Sequence, residues 1–392
     1  MLRVAWFSPL PPARSGIADY SAELLPHLAQ HVQLTLFAPD PAQLDTTLAA
    51  QFEVRPLDQY PAQRWQFDVS LHQMGNSAHH AAHYDLFCRY PGLVVLHDYF
   101  LHHFLAHQTV GQGNVAGYVR ELAYAYGLAG VNLARQIRTG QAQNVVFERP
   151  LNQRLLNLSL GTIVHSRYVQ QLLAHEGHPS HHVPALITPH PAQPRRAELG
   201  IDDEAIVFGS FGQVNQARQF ELSLRAFRQV VTQVPNAIYL IVGEVLPDVA
   251  LADLIAAAGL TRHVRHIGYA ATLQAFVDYL QTADIVINLR YPTLGETSAV
   301  ALRALAAGKP TIVFDHGWYA ELPDDGCCKL PPLDEAALVA TMLQLAQSAE
   351  LRQRVGETAV SYATNHHHPA AVAAQYAQVI GHTLADLRKK YA

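Results

Sequence analysis

Short apolar runs alternate with longer helical patterns along the whole chain, and this alternation restricts the fold more than any other feature. Parallel strands cannot be joined by a tight hairpin. They need a crossover, usually a helix, so strand–helix repetition reads as βαβ units around parallel sheets. In the first half the runs fall at residues 2–7, 33–37, 68–71, 93–96 and 162–164, with helices expected at 17–29 and over a long region from 100 to 138. Residues 184–194, Pro-Ala-Leu-Ile-Thr-Pro-His-Pro-Ala-Gln-Pro, interrupt the pattern, because proline lacks the N–H that helices and central strands use. A second series follows, with strands expected at 205–211, 237–242, 264–267, 284–289 and 311–314. Its helices are expected at 220–232, 249–258, 273–282, 298–307, 335–346, 350–363 and 369–390. Two parallel-sheet domains in tandem are predicted, one over 1–190 and one over 191–367.

Composition excludes several function classes. Hydrophobic residues make up 49% of the 392 and charged residues 15%, which supplies two buried cores and leaves too little charge for a disordered chain. Lys and Arg number 27 against 32 Asp and Glu, and a net charge of −5 gives no general attraction to nucleic acid. The three cysteines, Cys88, Cys327 and Cys328, form no C-x-x-C pair and no disulfide framework, which fits a reducing cytoplasm. The apolar N-terminus runs at once into Pro9-Leu10-Pro11-Pro12, too soon for a signal peptide. No uninterrupted apolar run reaches the roughly 18 residues that a membrane span needs. A cytoplasmic protein is expected, with 23 histidines whose protonation would reverse the sign of its charge in mild acid.

Open α/β sheets bind ligands beyond the carboxyl ends of their strands, so the chemistry is sought in the segments after each run. After the first run, Arg14-Ser15-Gly16-Ile17-Ala18-Asp19 opens a helix at Gly16, where backbone N–H groups and the helix dipole favour an anion. The same residues also read as an ordinary turn capped by Ser15. There is no G-x-G-x-x-G fingerprint for a dinucleotide cofactor. The run at 93–96 ends in His97-Asp98, which puts an imidazole at the sheet edge with Asp98 as the group that would set its tautomer. A capping Asp98 beside a merely polar histidine is the plainer reading. No H-E-x-x-H motif or His/Cys cluster points to a metal.

After 205–211, Gly212 allows a ligand to approach the backbone and Arg218 can fork onto a diphosphate. Otherwise Arg218 is a solvated first-turn residue, although a cation there is unfavourable unless an anion binds. Finally, Gly295-Glu296-Thr297-Ser298 leads into a small-residue helix that ends at Gly308-Lys309-Pro310. Glu296 is expected at the helix start beside the amides of Thr297 and Ser298, with Arg303 two turns on and on the same face. A first-turn carboxylate and its helical neighbour account for these charges equally simply.

Together these segments resemble the retaining GT-B glycosyltransferases of family 4 (glycosyl transferases group 1). The stretch from Gly295-Glu296-Thr297-Ser298 through Arg303-Ala304-Leu305-Ala306-Ala307-Gly308-Lys309-Pro310 looks like the E-x7-E region of that family. Gly212 to Arg218 looks like its G-R-x-x-x-x-K phosphate loop, the turn at Gly16 like its N-terminal glycine loop, and Leu96-His97-Asp98 like its His-Asp strand end. The resemblance implies two Rossmann-like domains facing a cleft, with residues 368–392 crossing back to the N-terminal domain. It implies transfer of a sugar, with retention of configuration, from a nucleotide-diphosphate sugar to a glycan or lipid-linked acceptor, without a metal or a separate cofactor. His97, Arg218 and Glu296 become the candidate catalytic set. Arg218 takes the lysine position on the departing diphosphate, Glu296 contacts the donor sugar, and His97 touches the donor sugar or the phosphate. Gly16, Gly212, Gln213, Gly295, Thr297, Ser298 and Arg303 fall on the donor site, and Tyr269 borders the base. Asp19, Asn76 and Asp98 fall on the acceptor side.

The chain departs from the family pattern at three points. Gln213 stands where the phosphate loop has arginine. Strict spacing puts the first glutamate of E-x7-E on Gly295, with Glu296 one residue late, and the second, which holds the ribose, on Arg303. Arg303 either replaces the charge missing at Gln213 or marks a chain that has lost catalysis. A GT-B-like binding protein without turnover and a nucleotide-sugar epimerase are thus the alternatives. Arg135, Arg138, Arg149 and Arg154 read either as a solvated face or as an edge for peripheral membrane contact.

Overall fold

In the computed structural model, which describes residues 1–142 and 145–391, the apolar runs are parallel strands of two separate sheets. One compact unit comprises Met1–Leu186, Leu294–Thr297 and the C-terminal segment from Pro369, and the other comprises Ile187–Thr293 and Ser298–His368. The division falls after Leu186 rather than after residue 190, and the short segment 294–297 groups with the first unit.

The first sheet contains β1 (Arg3–Phe7), β2 (Gln33–Ala38), β3 (Glu53–Pro56), β4 (Val69–Met74), β5 (Leu93–Leu96), β6 (Gly161–Val164) and β7 (His181–His182). Their order is β3-β2-β1-β4-β5-β6-β7, with every neighbour parallel. The second contains β8 (Val207–Phe211), β9 (Ile238–Val242), β10 (Val264–Ile267), β11 (Ile285–Ile287), β12 (Thr311–Phe314) and β13 (Cys328–Leu330), in the order β10-β9-β8-β11-β12-β13 and again all parallel. The apolar pattern misses β3, β7 and β13. All three are edge strands, short and only partly covered, so they lack the continuous hydrophobic run of a central parallel strand.

Strand β1 shows why its stretch from Val4 to Phe7 has no polar positions. Val4 and Trp6 face one core with Leu24, Leu28 and Leu36, while Ala5 and Phe7 face another with Phe37, Tyr60 and Leu86. Alternate side chains of a strand point to opposite faces, and both faces are covered. Each Leu or Phe buried in this way contributes about 1.5–3 kcal/mol.

The helix Pro369–Tyr391 packs in the first unit, as the resemblance implies, burying Val372, Ala373, Tyr376, Ile380 and Leu384 against the Val4–Trp6 core. Their spacing lays one apolar stripe along the helix. The long helix expected over 100–138 is instead broken. His102–Gln108 ends at Thr109, a 3-10 turn at Val110–Gln112 closes on Gly113 at φ 75°, and Val115–Arg138 folds at Gly127, whose φ of 59° and ψ of −137° lie outside any helix. No helix among the described residues is long and apolar enough to cross a membrane.

Candidate functional site

The strand order of each sheet reverses once, between β1 and β4 in the first and between β8 and β11 in the second. Crossovers diverge on either side of such a point and leave a crevice at the carboxyl ends of the strands. Most of the sequence candidates collect at these two places.

In the first unit, Gly16 begins the helix Gly16–Leu28, and the Ser15 hydroxyl accepts from the Ile17 N–H at 3.3 Å. A Cβ on Gly16 would meet no heavy atom within 4 Å, so this helix terminus is open, with Asp19 in its first turn. His97 follows β5. Its Nε2 lies 2.6 Å from Gln73 Oε1, and its ring packs against Tyr20 and His165 at centroid distances of 5.0 and 4.8 Å. Burial, with His165 and His80 nearby, holds its pKa well below the usual imidazole range, so the ring is neutral.

Asp98 does not set the tautomer of His97. Its carboxylate accepts the Asn76 N–H at 2.7 Å, and Gln73 is the group that faces the ring. Asn76, expected on the acceptor side, is taken up locally. Its Oδ1 accepts from the Phe104 N–H at 2.8 Å and its Nδ2 lies 3.1 Å from His103 Nδ1. Glu296 is buried, and its Oε2 accepts from the Leu294 N–H at 2.7 Å. Leu294 O in turn accepts from the Phe100 N–H at 3.0 Å. Gly295 is required here, because at φ 77° a Cβ would lie 2.5 Å from that of Tyr99. Burial, and then the nearby Glu296 carboxylate, raise the pKa of Tyr168.

In the second unit, Gly212 leaves β8 at φ 92°, and a Cβ there would lie 2.8 Å from Arg218 Nη2. The guanidinium thus lies across the glycine. Arg218 Nη1 donates to Phe211 O at 2.7 Å and to Asn288 Oδ1 at 3.1 Å. Asn288 Nδ2 donates to Ser298 Oγ at 2.9 Å, and the same hydroxyl caps the helix Ala299–Ala306 by accepting from the Ala301 N–H. Gly212, Arg218, Asn288 and Ser298 form one continuous set at the switch point. Gln213 beside them is exposed, Thr297 is half-buried, and Tyr269, beyond β10, is 48% exposed.

One expectation fails here. Because Ser298 is the cap, the helix starts at Ala299, so Glu296 precedes it and shares no helical face with Arg303. Arg303 lines a different cavity of about 260 Å³ with Thr188, His190, Val277 and Gln281, whose walls include neither Gln213 nor Arg218. The basic series of the first unit is also partly tied down. Arg154 pairs with Glu121 at 2.9 Å and lies over the Tyr124 ring, and Arg149 lies over Tyr126, while Arg135 and Arg138 are exposed. Among the described residues no group of three or more His, Cys, Asp or Glu side chains is placed to hold a metal ion.

Gln73 and Asn288 are site residues that the sequence reasoning passed over. Both are buried and polar: Asn288 directly follows the apolar β11, and a buried polar residue there was a signal, whereas Gln73 lies between His72 and Met74 in the mixed strand β4, which gives none.

Comparison with known proteins agrees with this geometry. Residues 192–361 match the family described as Glycosyl transferases group 1. No curated protein is similar enough in sequence to count as a relative. Among solved structures, sucrose-phosphate synthase from Thermosynechococcus elongatus is similar at a TM-score of 0.70 and 14% identity, over 98% of this chain and 100% of that one. Anabaena HepE in complex with UDP-glucose is similar at 0.66 and 16%, over 98% and 100%. WaaG, a glycosyltransferase involved in lipopolysaccharide biosynthesis, is similar at 0.62 and 12%, over 97% and 99%. At these identities the likeness is one of fold: two Rossmann-like parallel-sheet domains of GT-B type.

Proposed function

We propose that this chain is a glycosyltransferase that moves a sugar from a nucleotide-diphosphate donor to a glycan or lipid-linked acceptor, with retention of configuration. The second unit holds the donor diphosphate and the first the acceptor. The observation that carries this reading is the loop from Gly212 to Arg218, where a bare glycine and a guanidinium share the end of β8 at the switch point. Negative charge builds on the diphosphate as the sugar departs, and a fixed cation there stabilises the transition state more than the ground state. The N-terminus of the helix capped by Ser298 adds positive potential on the same side. These groups can neutralise the leaving group without a metal. Glu296 contacts the donor sugar. The setting is cytoplasmic assembly of a polysaccharide or other glycoconjugate, and a lipid-linked acceptor would bring the exposed Arg135 and Arg138 to a membrane surface.

The test is a thermal-shift screen of the whole chain with UDP, GDP, ADP and their sugar conjugates, UDP first because HepE is a complex with it. A ligand that binds only the native state at 100 times its Kd adds about 2.7 kcal/mol, so a selective rise in Tm reports the base. Release of nucleoside diphosphate that depends on an acceptor then establishes transfer. No shift with any nucleotide would overturn the proposal. A second reading, a binding protein without turnover, is favoured by the uncharged Gln213 and by the placement of Arg303. It predicts a shift with no release.

A further inference from the structure

Gln219 adopts a conformation that its side chain does not favour. It follows Arg218 at φ 55° and ψ 40°, in the left-handed region, between the 3-10 turn Gln216–Arg218 and the helix Phe220–Gln233. That region suits glycine or asparagine, and a Cβ makes it costly for a longer side chain. The residue also stands at the N-cap of the helix, where a short Ser, Thr, Asn or Asp side chain would bond the first free amides, and its own side chain makes no such bond. Its carboxamide reaches across to another loop instead. Nε2 donates to Tyr291 O, after β11, at 2.7 Å and lies 3.4 Å from Gln216 O. Both neighbours are carbonyl oxygens, which only accept, so the NH2 end of the amide faces them. This bond belongs to a series. Ala217 O accepts from the Tyr291 N–H at 2.8 Å, Arg218 Nη1 donates to Asn288 Oδ1 at 3.1 Å, and Gln219 holds Tyr291 O. Three successive residues of one loop thus bond to the stretch from Asn288 to Tyr291, with Arg218 in the middle.

We infer that Gln219 is a positioning residue that ties the loop after β11 to the loop of Arg218 and so fixes the guanidinium at the end of β8. The role of Arg218 in this statement rests on the proposed sugar transfer, whereas the tether does not. Tyr291 is held by both of its backbone groups, its N–H by a backbone carbonyl and its C=O by a side chain that stands in for a backbone N–H. Arg218 lies across Gly212 with Nη1 shared between Phe211 O and Asn288 Oδ1. Asn288 is anchored on one side by Ser298 and Ile312 O, and the bonds at Tyr291 anchor the segment on the other. A left-handed residue other than glycine persists where its surroundings over-determine it, and such residues collect where function requires a fixed geometry. Glycine would suit this backbone better, so the glutamine is explained by its reach, which asparagine, one methylene shorter, does not match. A neutral carboxamide also fixes the loop without a charge that would compete for the guanidinium or repel a diphosphate.

The test compares Gln219→Gly with Gln219→Lys in the full-length chain. Glycine takes up the left-handed backbone and removes the tether. Its Tm should stay close to wild type, while hydrogen exchange at the Tyr291 amide, read by mass spectrometry, quickens on the order of 10-fold or more. Lysine has the reach to donate to Tyr291 O and should restore the protection. Unchanged exchange in Gln219→Gly, or fast exchange in both variants, overturns the tether. The second measurement is a double-mutant cycle on transfer. Gln219→Gly alone should lower kcat about 10- to 100-fold, the scale on which a small misplacement of a catalytic group acts. In an Arg218→Ala chain the same change should lower kcat by less than about 2-fold, because the group it positions is gone. Equal losses in both backgrounds, or a wild-type kcat with a lower Tm, overturn the positioning role. Quickened exchange in Gln219→Gly, with no transfer by the wild type from any nucleotide sugar, upholds the tether and sinks the proposed function.

Discussion

Arg218 is fixed by hydrogen bonds of one guanidinium nitrogen to Phe211 O and Asn288 Oδ1 and presses on Gly212 with another. Its removal therefore has two separable costs. Arg218→Ala should lower kcat by about 100-fold or more, as expected when a preorganised charge is lost from a transition state. The broken hydrogen bonds should destabilise the unit by only about 1.5–3 kcal/mol, leaving it folded by circular dichroism. Arg218→Lys restores the charge but not the fork, and should recover part of the rate. A rate unchanged in Arg218→Ala would remove the diphosphate from this loop. Glu296→Gln keeps an oxygen for the Leu294 N–H, so it should impair transfer while nucleoside diphosphate affinity by calorimetry stays put. Equal loss of both would make Glu296 a loop-building residue. At this scale the sequence reveals Gly212, Arg218, His97 and Glu296 because each follows a recognisable strand. It hides Gln73, which sits in the mixed strand β4, and Asn288, because a polar residue at the end of an apolar run looks like the run's boundary, and only the neighbouring strand shows what it faces.

Helices and strands were legible in proportion to how completely they are buried. The central strands β1, β5, β8, β9 and β12 lie within a residue or two of their apolar runs, whereas the polar edges β3, β7 and β13 carry no such signal. The broken helix after β5 was missed for a different reason. A glycine is tolerated in a helical pattern, and nothing local distinguishes Gly127 from Gly117, which stays helical. Gly127→Ala should cost about 1–3 kcal/mol, because a side chain at positive φ with that ψ is strained, and a lower Tm in the full chain would register it. A Tm equal to wild type would mean that the segment can run as one helix. The helix Pro369–Tyr391 offers a second check. Ile380 is wholly buried against the first core, so Ile380→Ala should cost about 2–5 kcal/mol, read as a drop in denaturant midpoint.

The first unit as a whole carries an acid liability. His72 is buried and held well below the ordinary imidazole value of 6.5, His80 is lowered to about 3 and His83 to about 4, in each case chiefly by burial. Unfolded, each would titrate near 6.5; folded, each refuses the proton. Their contribution to stability is complete above 6.5 and is lost as pH falls towards the folded values, at about 1.4 kcal/mol per pH unit for each histidine. Tm should therefore fall steeply from pH 6.5 to pH 5, and a flat melting profile over that interval would contradict the burial of these rings. The division of the chain has a further consequence, in time rather than in space. The core around Val4 and Trp6 takes Val372, Tyr376 and Ile380 from a helix encoded after the whole of the second unit. A ribosome adding about 5–20 residues per second needs roughly 10–40 s to pass from residue 186 to the last helix. The second unit can thus finish folding while the first still waits, with its apolar face uncovered, for the helix Pro369–Tyr391 to leave the exit tunnel.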